Sequence, residues 1–110
     1  MANEFKLNRR ASDRYSTSLM AKYFIKNKSM RFEDCTVIDL SRTGAGIEFP
    51  SGETLTEGAE IFIELTVPDG FEQLHVKGTI QRVDSEQSVG GVRFCETLDK
   101  HTYFKLVAHE

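Results

Sequence analysis

Residues 36–49 constrain the fold of this chain more than any other segment. Residues 36–40 are rich in β-branched side chains, and in residues 45–49 apolar side chains alternate with Gly46 and Glu48. A short polar segment separates the two runs. This combination predicts a β-hairpin, because β-branched and alternating apolar residues favour strands and polar residues favour the turn between them.

The predicted hairpin carries an unusual set of polar groups. Asp39 and Ser41 are two residues apart, so on an extended backbone their side chains leave the same face. Gly44 can either adopt a positive φ or let another group approach the backbone closely. The hairpin therefore brings together a carboxylate, a hydroxyl and a patch of bare backbone.

Short alternating segments separated by turn residues continue along the chain. The predicted strands cover residues 19–25, 32–40, 45–49, 60–67, 74–83 and 89–94, with a polar break at 26–29 and a turn at Pro68-Asp69-Gly70. The alternation slips between Ile80 and Val83, which predicts a bulge near Gln81 or Arg82 of the kind that closure of a small barrel requires. Six antiparallel strands at this spacing favour a barrel or a sandwich.

The two ends of the chain differ from its middle. Residues 98–107 place apolar side chains at helical spacing, with Thr97 or Asp99 available as a cap, and predict a short C-terminal helix. Residues 1–17 are polar and cannot bury enough apolar surface to order alone, so we expect a flexible N-terminal arm. A chain of 110 residues then forms one domain, in which residues 18–110 hold the barrel and the helix.

Composition limits the partners and the location of the chain. Its formal net charge is −3, so no global basic field attracts it to nucleic acid or to an anionic membrane. No apolar run is long enough to cross a membrane or to act as an export signal, so we expect a cytoplasmic protein without membrane insertion. A small barrel that binds single-stranded nucleic acid is retained as an alternative, because aromatic barrel surfaces can stack bases.

Catalytic and metal-binding patterns are not apparent in the sequence. It contains no Ser-His-Asp, Cys-His, paired-carboxylate or phosphate-loop arrangement, and we expect no enzymatic activity. Cys35 and Cys95 are interpreted as buried free thiols. His75, His101 and His109 have no partner at metal-ligand spacing and are interpreted as surface residues, so no metal is expected. Phe62 is out of phase with the core residues of its strand, and we expect it either under the helix or in a partner surface.

Arginines precede the first predicted strand. Arg10 and Arg14 are four residues apart, and Arg9 adjoins them. An arginine binds a phosphate, or O6 and N7 of guanine, through two parallel hydrogen bonds. A carboxylate such as Asp39 can accept the N1 and N2 protons on the other edge of guanine. Asp39 and the arginines together are thus complementary to a guanine nucleotide.

The two motifs resemble those of the PilZ domain, a bacterial receptor module for cyclic di-GMP. The family carries Arg-x-x-x-Arg ahead of its barrel, matched by Arg10 and Arg14, and Asp/Asn-x-Ser-x-x-Gly at its second hairpin, matched by Asp39, Ser41 and Gly44. The last predicted strand, Gly91-Val92-Arg93-Phe94, is similar to a Gly-x-x-Phe ending of the family. The resemblance covers residues 9–107 and implies a six-stranded antiparallel barrel of the PilZ-like, split-barrel type with a C-terminal helix.

The resemblance also implies a ligand, a site and a mode of action. The expected site residues for cyclic di-GMP are Arg9, Arg10, Arg14, Asp39, Ser41 and Gly44, with Arg42, Gly46 and Arg93 as further candidates. Arg9, directly before the first motif arginine, implies two intercalated ligand molecules per chain. We expect a monomer or weak dimer whose arm becomes ordered with ligand and is then recognised by an effector protein. A PilZ-like interaction module without ligand is the second alternative.

Overall fold

The computed structural model describes residues 15–28, 31–68 and 72–107. Its elements are β1 (Tyr15–Ile25), β2 (Glu33–Leu40), β3 (Gly44–Glu48), β4 (Glu60–Thr66), β5 (Gln73–Asp84), β6 (Val89–Phe94) and α1 (Lys100–Val107). Several sequence-based expectations lie outside the described residues: those for Arg9, Arg10, Arg14, His109, Ser29 of the polar break, and Asp69 and Gly70 of the predicted turn.

The six strands close into an antiparallel barrel. Their order around it is β1-β2-β3-β6-β5-β4, and β4 pairs back onto β1. Consecutive hairpins join β1 to β2 and β2 to β3, and β3 pairs with β6 rather than with β4. The predicted fold class, an all-β six-stranded barrel with one short C-terminal helix, is confirmed.

The alternation of β4 shows how the sequence builds the core. Ile61, Ile63 and Leu65 are almost fully buried, and Val67 continues their pattern just after the strand. The residues between them are only partly buried. Burying a side chain of this size contributes about 1.5–3 kcal/mol relative to leaving it exposed, so the inward row of one strand outweighs any weakness in its local propensity.

β1 is longer than the sequence predicts. We expected it to begin at Leu19 and the arm to extend through residue 17, but the strand begins at Tyr15. The first residues of β1 pair with the end of β2, Tyr15 opposite Leu40 and Ser16 opposite Asp39. These added residues are mostly polar and show no alternation, so only the non-local pairing reveals that they belong to a strand.

Three register shifts interrupt the ladders. They fall between Ser16 and Leu19 in β1, between Val37 and Asp39 in β2, and between Ile80 and Arg82 in β5. The third confirms the predicted bulge. An extra residue reverses the in-and-out alternation beyond it, so Asp39 and Arg82, two residues after inward-facing Val37 and Ile80, face outward.

Helix α1 closes one end of the barrel. Asp99 caps it, since its Oδ1 accepts the Thr102 backbone N–H at 2.8 Å, and these bonds from Thr102 lower the pKa of Asp99. Tyr103, Leu106 and Val107 turn inward and are buried. The side chain of Tyr103 meets the start of β1, where its ring centroid lies 6.4 Å from that of Tyr15.

The loop between β3 and β4 packs at the opposite end. There Glu53 accepts hydrogen bonds from the Tyr23 hydroxyl and the Lys28 ammonium group. Burial alone would raise the pKa of Glu53, but the bonds from Lys28 and Tyr23 outweigh it and lower that pKa. Burial and the same carboxylate raise the pKa of Tyr23. This Tyr23-Glu53-Lys28 latch ties the loop to β1 and to the turn that follows it.

One expectation about a single side chain is wrong, and one of the two alternatives for another does not hold. Cys35 is buried as expected, but Cys95 is exposed, because it follows the last core residue of β6. Phe62 does not pack under the helix. Its ring stacks on Phe24 of the neighbouring strand at 4.8 Å between centroids and 17° between planes, on the outer face of the barrel.

Candidate functional site

The turn between β2 and β3 is organised by Ser41. Its Oγ accepts the backbone N–H groups of Thr43 at 3.2 Å and Gly44 at 3.1 Å. Its own backbone N–H donates to the Gly44 carbonyl at 2.9 Å, and the side chain is only 7% exposed. Both acceptor positions of the hydroxyl are therefore occupied by the turn, which explains why a small hydroxyl residue is required here.

Asp39 lies beside this turn on the outer face of the barrel. Its Oδ1 accepts the Gly46 backbone N–H at 3.0 Å, and the two residues are cross-strand partners. A methyl group on residue 46 would lie 2.5 Å from Asp39 Oδ2. The carboxylate thus occupies the space that glycine leaves, directly above the strand backbone.

Gly44 serves close approach rather than a special backbone angle. Among the described residues the glycines with positive φ are Gly52 and Gly58, whereas Gly44 belongs to β3. A methyl group there would lie 2.4 Å from the Val92 carbonyl oxygen. Because backbone cannot move aside cheaply, glycine at this position allows β3 to pair with β6.

A row of outward positions crosses five strands at this end of the barrel. The pairings Ser16–Asp39, Asp39–Gly46, Gly46–Gly91 and Gly91–Arg82 join β1, β2, β3, β6 and β5. Adjacent strands are about 4.8 Å apart, so Asp39 and Arg82 are roughly 14 Å apart at their Cα atoms. Two glycines without side chains lie between them.

The further candidates Arg42 and Arg93 differ in their surroundings. Arg42 Nε donates to the Leu98 carbonyl at 2.8 Å, and the Leu98 N–H donates back to the Arg42 carbonyl at 2.8 Å. Arg42 therefore fastens the turn to the segment that enters α1. Arg93 is exposed on β6 directly opposite Gly44, on the same outer face as Asp39.

The structure brings Asp39, Ser41, Gly44, Gly46 and Arg93 to one end of one outer face. The arm arginines lie outside the described residues, but the register of β1 fixes where the arm leaves the barrel. Arg14 is bonded to Tyr15, and Tyr15 pairs with Leu40 at the end of β2. The covalent path of the arm thus begins next to Asp39 and Ser41.

Sequence reasoning did not select Arg82 as a site residue. Its local signal was the slip in alternation that predicts the bulge, which turns Arg82 to the outer face. Its position in the row with Asp39 depends on pairing across three strand boundaries, and no local pattern contains that information.

Other reactive groups in the described chain have structural surroundings. Burial and the neighbouring Asp34 raise the pKa of the Cys35 thiol to about 12, so this cysteine is held as a thiol. His75 Nε2 lies 3.3 Å from a Glu64 oxygen on the outer face. Within the described ranges, no three His, Cys, Asp or Glu side chains gather as a metal site requires, and no described helix has the length and apolar character to span a membrane.

These features define a class of protein: a single closed six-stranded barrel, capped by a C-terminal helix, with a polar hairpin at the capped end. The family model of the PilZ domain matches residues 8–109. The chain belongs to the PilZ domain family, whose members are generally receptors for cyclic di-GMP.

Two solved structures show the same fold. The chain is similar to the Bacillus subtilis inhibitor of motility MotI/DgrA, with a TM-score of 0.62 and 11% identity over 87% of this chain and 46% of that chain. It is also similar to the PilZ domain of CeSA from a cellulose-synthesizing bacterium, with a TM-score of 0.60 and 18% identity over 87% of this chain and 92% of that one. The chain spans about half the length of MotI/DgrA. A comparison with curated protein sequences gave no match.

Proposed function

We propose that this PilZ domain is a cytoplasmic receptor for cyclic di-GMP and binds it on the outer face that carries Asp39. The observation that supports this most is the β1–β2 register, with Tyr15 opposite Leu40 and Ser16 opposite Asp39. The strand that receives the arm begins where the Asp39 hairpin turns. The chain therefore enters the barrel from the first motif beside the second one, although residues 15 to 38 lie between Arg14 and Asp39 in the sequence.

Each part of the proposed site has a chemical role. Asp39 accepts the N1 and N2 protons of a guanine, and Ser41 and Gly44 hold the turn that positions it. Arg10 and Arg14 bind phosphate or the O6 and N7 edge of guanine through their planar guanidinium groups. In an extended arm they lie about 13 Å apart on one face, which lets both reach one cyclic dinucleotide. Arg9 adds contacts to a second, intercalated ligand molecule.

The proposed output is a new surface. Ligand bound between arm and barrel favours the ordered arm by its additional contacts in that state, and an effector protein recognises the combined surface. Tyr15, at the start of β1, and Phe104, on α1, both contact the ring of Tyr103. Both side chains are exposed and would contribute to this surface.

Titration calorimetry with cyclic di-GMP tests the proposal directly. We expect binding at micromolar protein, two ligands per chain, and no binding of GTP or of a short single-stranded DNA at the same concentrations. Arg10→Ala and Arg14→Ala should each weaken binding by about 5- to 150-fold, the effect of losing one bidentate contact.

Arg31→Ala is the matched control, because Arg31 precedes the start of β2 at Glu33, which lies about 20 Å along the strand from Asp39 near its other end. Wild-type affinity in both arm variants would reject the assigned site, and lack of any cyclic di-GMP binding would reject the receptor. Binding of single-stranded DNA instead would favour the nucleic-acid alternative. Hydrogen exchange should show slower exchange in residues 9–14 when ligand is present, and unchanged exchange would reject the proposed ordering of the arm.

A further inference from the structure

We infer that Arg82 and Asp39 form a pair that distinguishes guanine from adenine in the ligand, with Arg82 reading the O6 and N7 edge of the base whose N1 and N2 protons Asp39 accepts. This inference rests on the proposed function. It assigns a role to a residue that belongs to neither PilZ motif of this chain.

The pairing of strands places the two side chains on one line. Asp39 pairs with Gly46, Gly46 with Gly91, and Gly91 with Arg82. Asp39, Gly46 and Gly91 face outward, since their neighbours Leu40, Ala45 and Val92 are buried in the core, and Arg82 is exposed opposite Gly91. An acidic and a basic side chain therefore border the same two strands from opposite sides.

Both side chains lean inward over the glycine next to them. A methyl group on Gly46 would lie 2.5 Å from Asp39 Oδ2, and one on Gly91 would lie 3.5 Å from Arg82 Nε and 3.7 Å from Nη2. Gly46 and Gly91 are direct partners, with Cα atoms about 4.5–5.5 Å apart. The carboxylate and the guanidinium thus lie over two glycines that are direct cross-strand partners.

Two independent bulges aim these side chains. In β2 the shift lies between Val37 and Asp39, and in β5 it lies between Ile80 and Arg82. Val37 and Ile80 point into the core, so unbroken alternation would have turned Asp39 and Arg82 inward as well. Bulges commonly redirect side chains next to binding sites. A bulge before each of the two residues gives each polar group its outward position.

The order of charges matches guanine and opposes adenine. Along one side of guanine the N2 and N1 donors are followed by the O6 and N7 acceptors, so a carboxylate next to a guanidinium satisfies them in sequence. Adenine offers an acceptor at N1, which would face Asp39, and a donor at N6, which would face Arg82. With adenine, two acceptors would face each other at Asp39 and two donors would face each other at Arg82. Arg82 is exposed, and no hydrogen bond or ion pair of its guanidinium to another described residue competes with this role.

The test compares cyclic di-GMP with cyclic di-AMP, which shares the phosphates and ribose ring and differs only in its bases. Affinities of both are measured by calorimetry for the wild type, Arg82→Ala, Arg82→Lys and the matched control Arg31→Ala. We expect the wild type and the control to prefer cyclic di-GMP. Arg82→Ala should reduce that preference by about 5- to 150-fold, mainly through weaker cyclic di-GMP binding.

Arg82→Lys separates shape from charge. Lysine keeps the positive charge but lacks the planar fork, so it should lose most of the preference as well. An unchanged preference in Arg82→Ala would overturn the inference but not the proposed receptor function. If Arg82→Ala weakened the binding of both ligands equally, the inference would also be overturned, because that result would indicate a phosphate contact. A wild type that binds neither ligand would overturn the proposed function itself. Unfolding curves of Arg82→Ala should match those of the wild type, because the side chain is on the surface.

Discussion

Two outer faces of this barrel differ in what covers the strands. On β1, β4 and β5 the surface is covered by side chains: Phe24 stacks on Phe62, Phe32 packs edge-on against Phe24, and Lys77 lies 5.9 Å from the centre of the Phe62 ring. Around Asp39, by contrast, the central positions on β3 and β6 are glycines, with Arg93 beside them. We call these the aromatic face and the glycine face.

Charges follow the same division. On the aromatic face the lysines have carboxylate partners, as in the contacts of Lys26 and Lys77 with Glu60 and of Lys22 with Asp34. On the glycine face Asp39 binds backbone and Arg82 lies over bare backbone. The aromatic face is covered by packed side chains, whereas the glycine face has bare backbone at its central positions, which sacrifices packing and leaves space above the strands. The comparison therefore separates residues that pack the barrel surface from residues of the proposed binding site.

The largest expected effect distinguishes two glycines of the glycine face. Gly44→Ala should lower the free energy of unfolding by about 3 kcal/mol, because its methyl group would meet the Val92 carbonyl oxygen at 2.4 Å and force β3 from β6. Gly91→Ala should cost under about 0.5 kcal/mol, because its methyl group would meet only the flexible Arg82 side chain at 3.5 Å or more. Urea unfolding measures both.

Binding should show the reverse pattern for Gly91. Its added methyl group would fill part of the space above the β6 backbone in which the ligand is proposed to lie. This should weaken cyclic di-GMP binding by about 1–2 kcal/mol, or roughly 5- to 30-fold. Calorimetry on the folded Gly91→Ala variant checks this. Full affinity in that variant would show that the ligand does not lie over β6, and an equal loss of stability in both variants would contradict the division between structural and open glycines.

Substitutions on the aromatic face should change the stability of the protein and leave its ligand affinity unchanged. Phe62→Ala should lower the free energy of unfolding by about 2 kcal/mol, since it removes a stacked aromatic pair and half-buried apolar surface. The affinity for cyclic di-GMP should not change. Phe104→Ala is the matched control on the helix, where the ring is 58% exposed and should cost under about 0.5 kcal/mol. If fully folded Phe62→Ala bound cyclic di-GMP more weakly than the wild type, the result would show that the two faces are coupled.

The aromatic face also shows what sequence can and cannot predict. The alternation of β4 predicts which side chains enter the core, and β6 was predicted with its observed boundaries, because local periodicity carries that information. The partner of Phe62 was not predictable from that pattern. Its contact with Phe24 depends on β4 pairing with β1 around the closure of the barrel, between residues 38 positions apart, and local reasoning left the ring either under the helix or in a partner surface.

On the glycine face, too, local sequence patterns do not reveal the contacts that depend on strand pairing. Asp39, Ser41 and Gly44 stand close in sequence, so their spacing was sufficient to predict a hairpin that carries polar groups. Arg82 belongs to the row only through the pairings of β5 with β6 and of β6 with β3. The start of β1 at Tyr15 was missed for a similar reason. Sequence patterns thus located the local half of the candidate site, and strand register supplies the half that is assembled across the barrel.

Asp39 can be tested for both roles at once. Asp39→Ala removes the acceptor of the Gly46 N–H and should lower the free energy of unfolding by about 1–1.5 kcal/mol. Asp39→Asn retains an oxygen at Oδ1 and should cost under about 0.5 kcal/mol. Urea unfolding and calorimetry are measured on both variants. If Asp39→Asn were as unstable as Asp39→Ala, the charge of Asp39 rather than its bond to the Gly46 N–H would stabilise the hairpin.

The smallest effect concerns the Tyr23-Glu53-Lys28 latch, which lies at the barrel end away from the glycine face and serves as a reference for both faces. Its hydrogen bonds lower the pKa of Glu53 in the folded protein below the ordinary value of 4.5. The latch therefore contributes stability that is complete above pH 4.5 and is lost as the pH falls through the folded pKa. Glu53→Gln should flatten the decline of Tm below that pH and change Tm little between pH 6 and 7, by about 2 °C or less.

Lys28→Met removes the cationic partner of the latch and should affect the same acid transition, so the double variant should add little to either single one. Thermal unfolding followed by circular dichroism between pH 3 and 7 measures the effect. The affinity for cyclic di-GMP at pH 7 should be the same in all three variants, because the latch lies at the opposite end of β2 from Asp39. An acid transition that keeps its wild-type slope in Glu53→Gln would contradict the assignment to Glu53. A change in ligand affinity would show that the two ends of the barrel are coupled, and that the glycine face depends on more than the strands that form it.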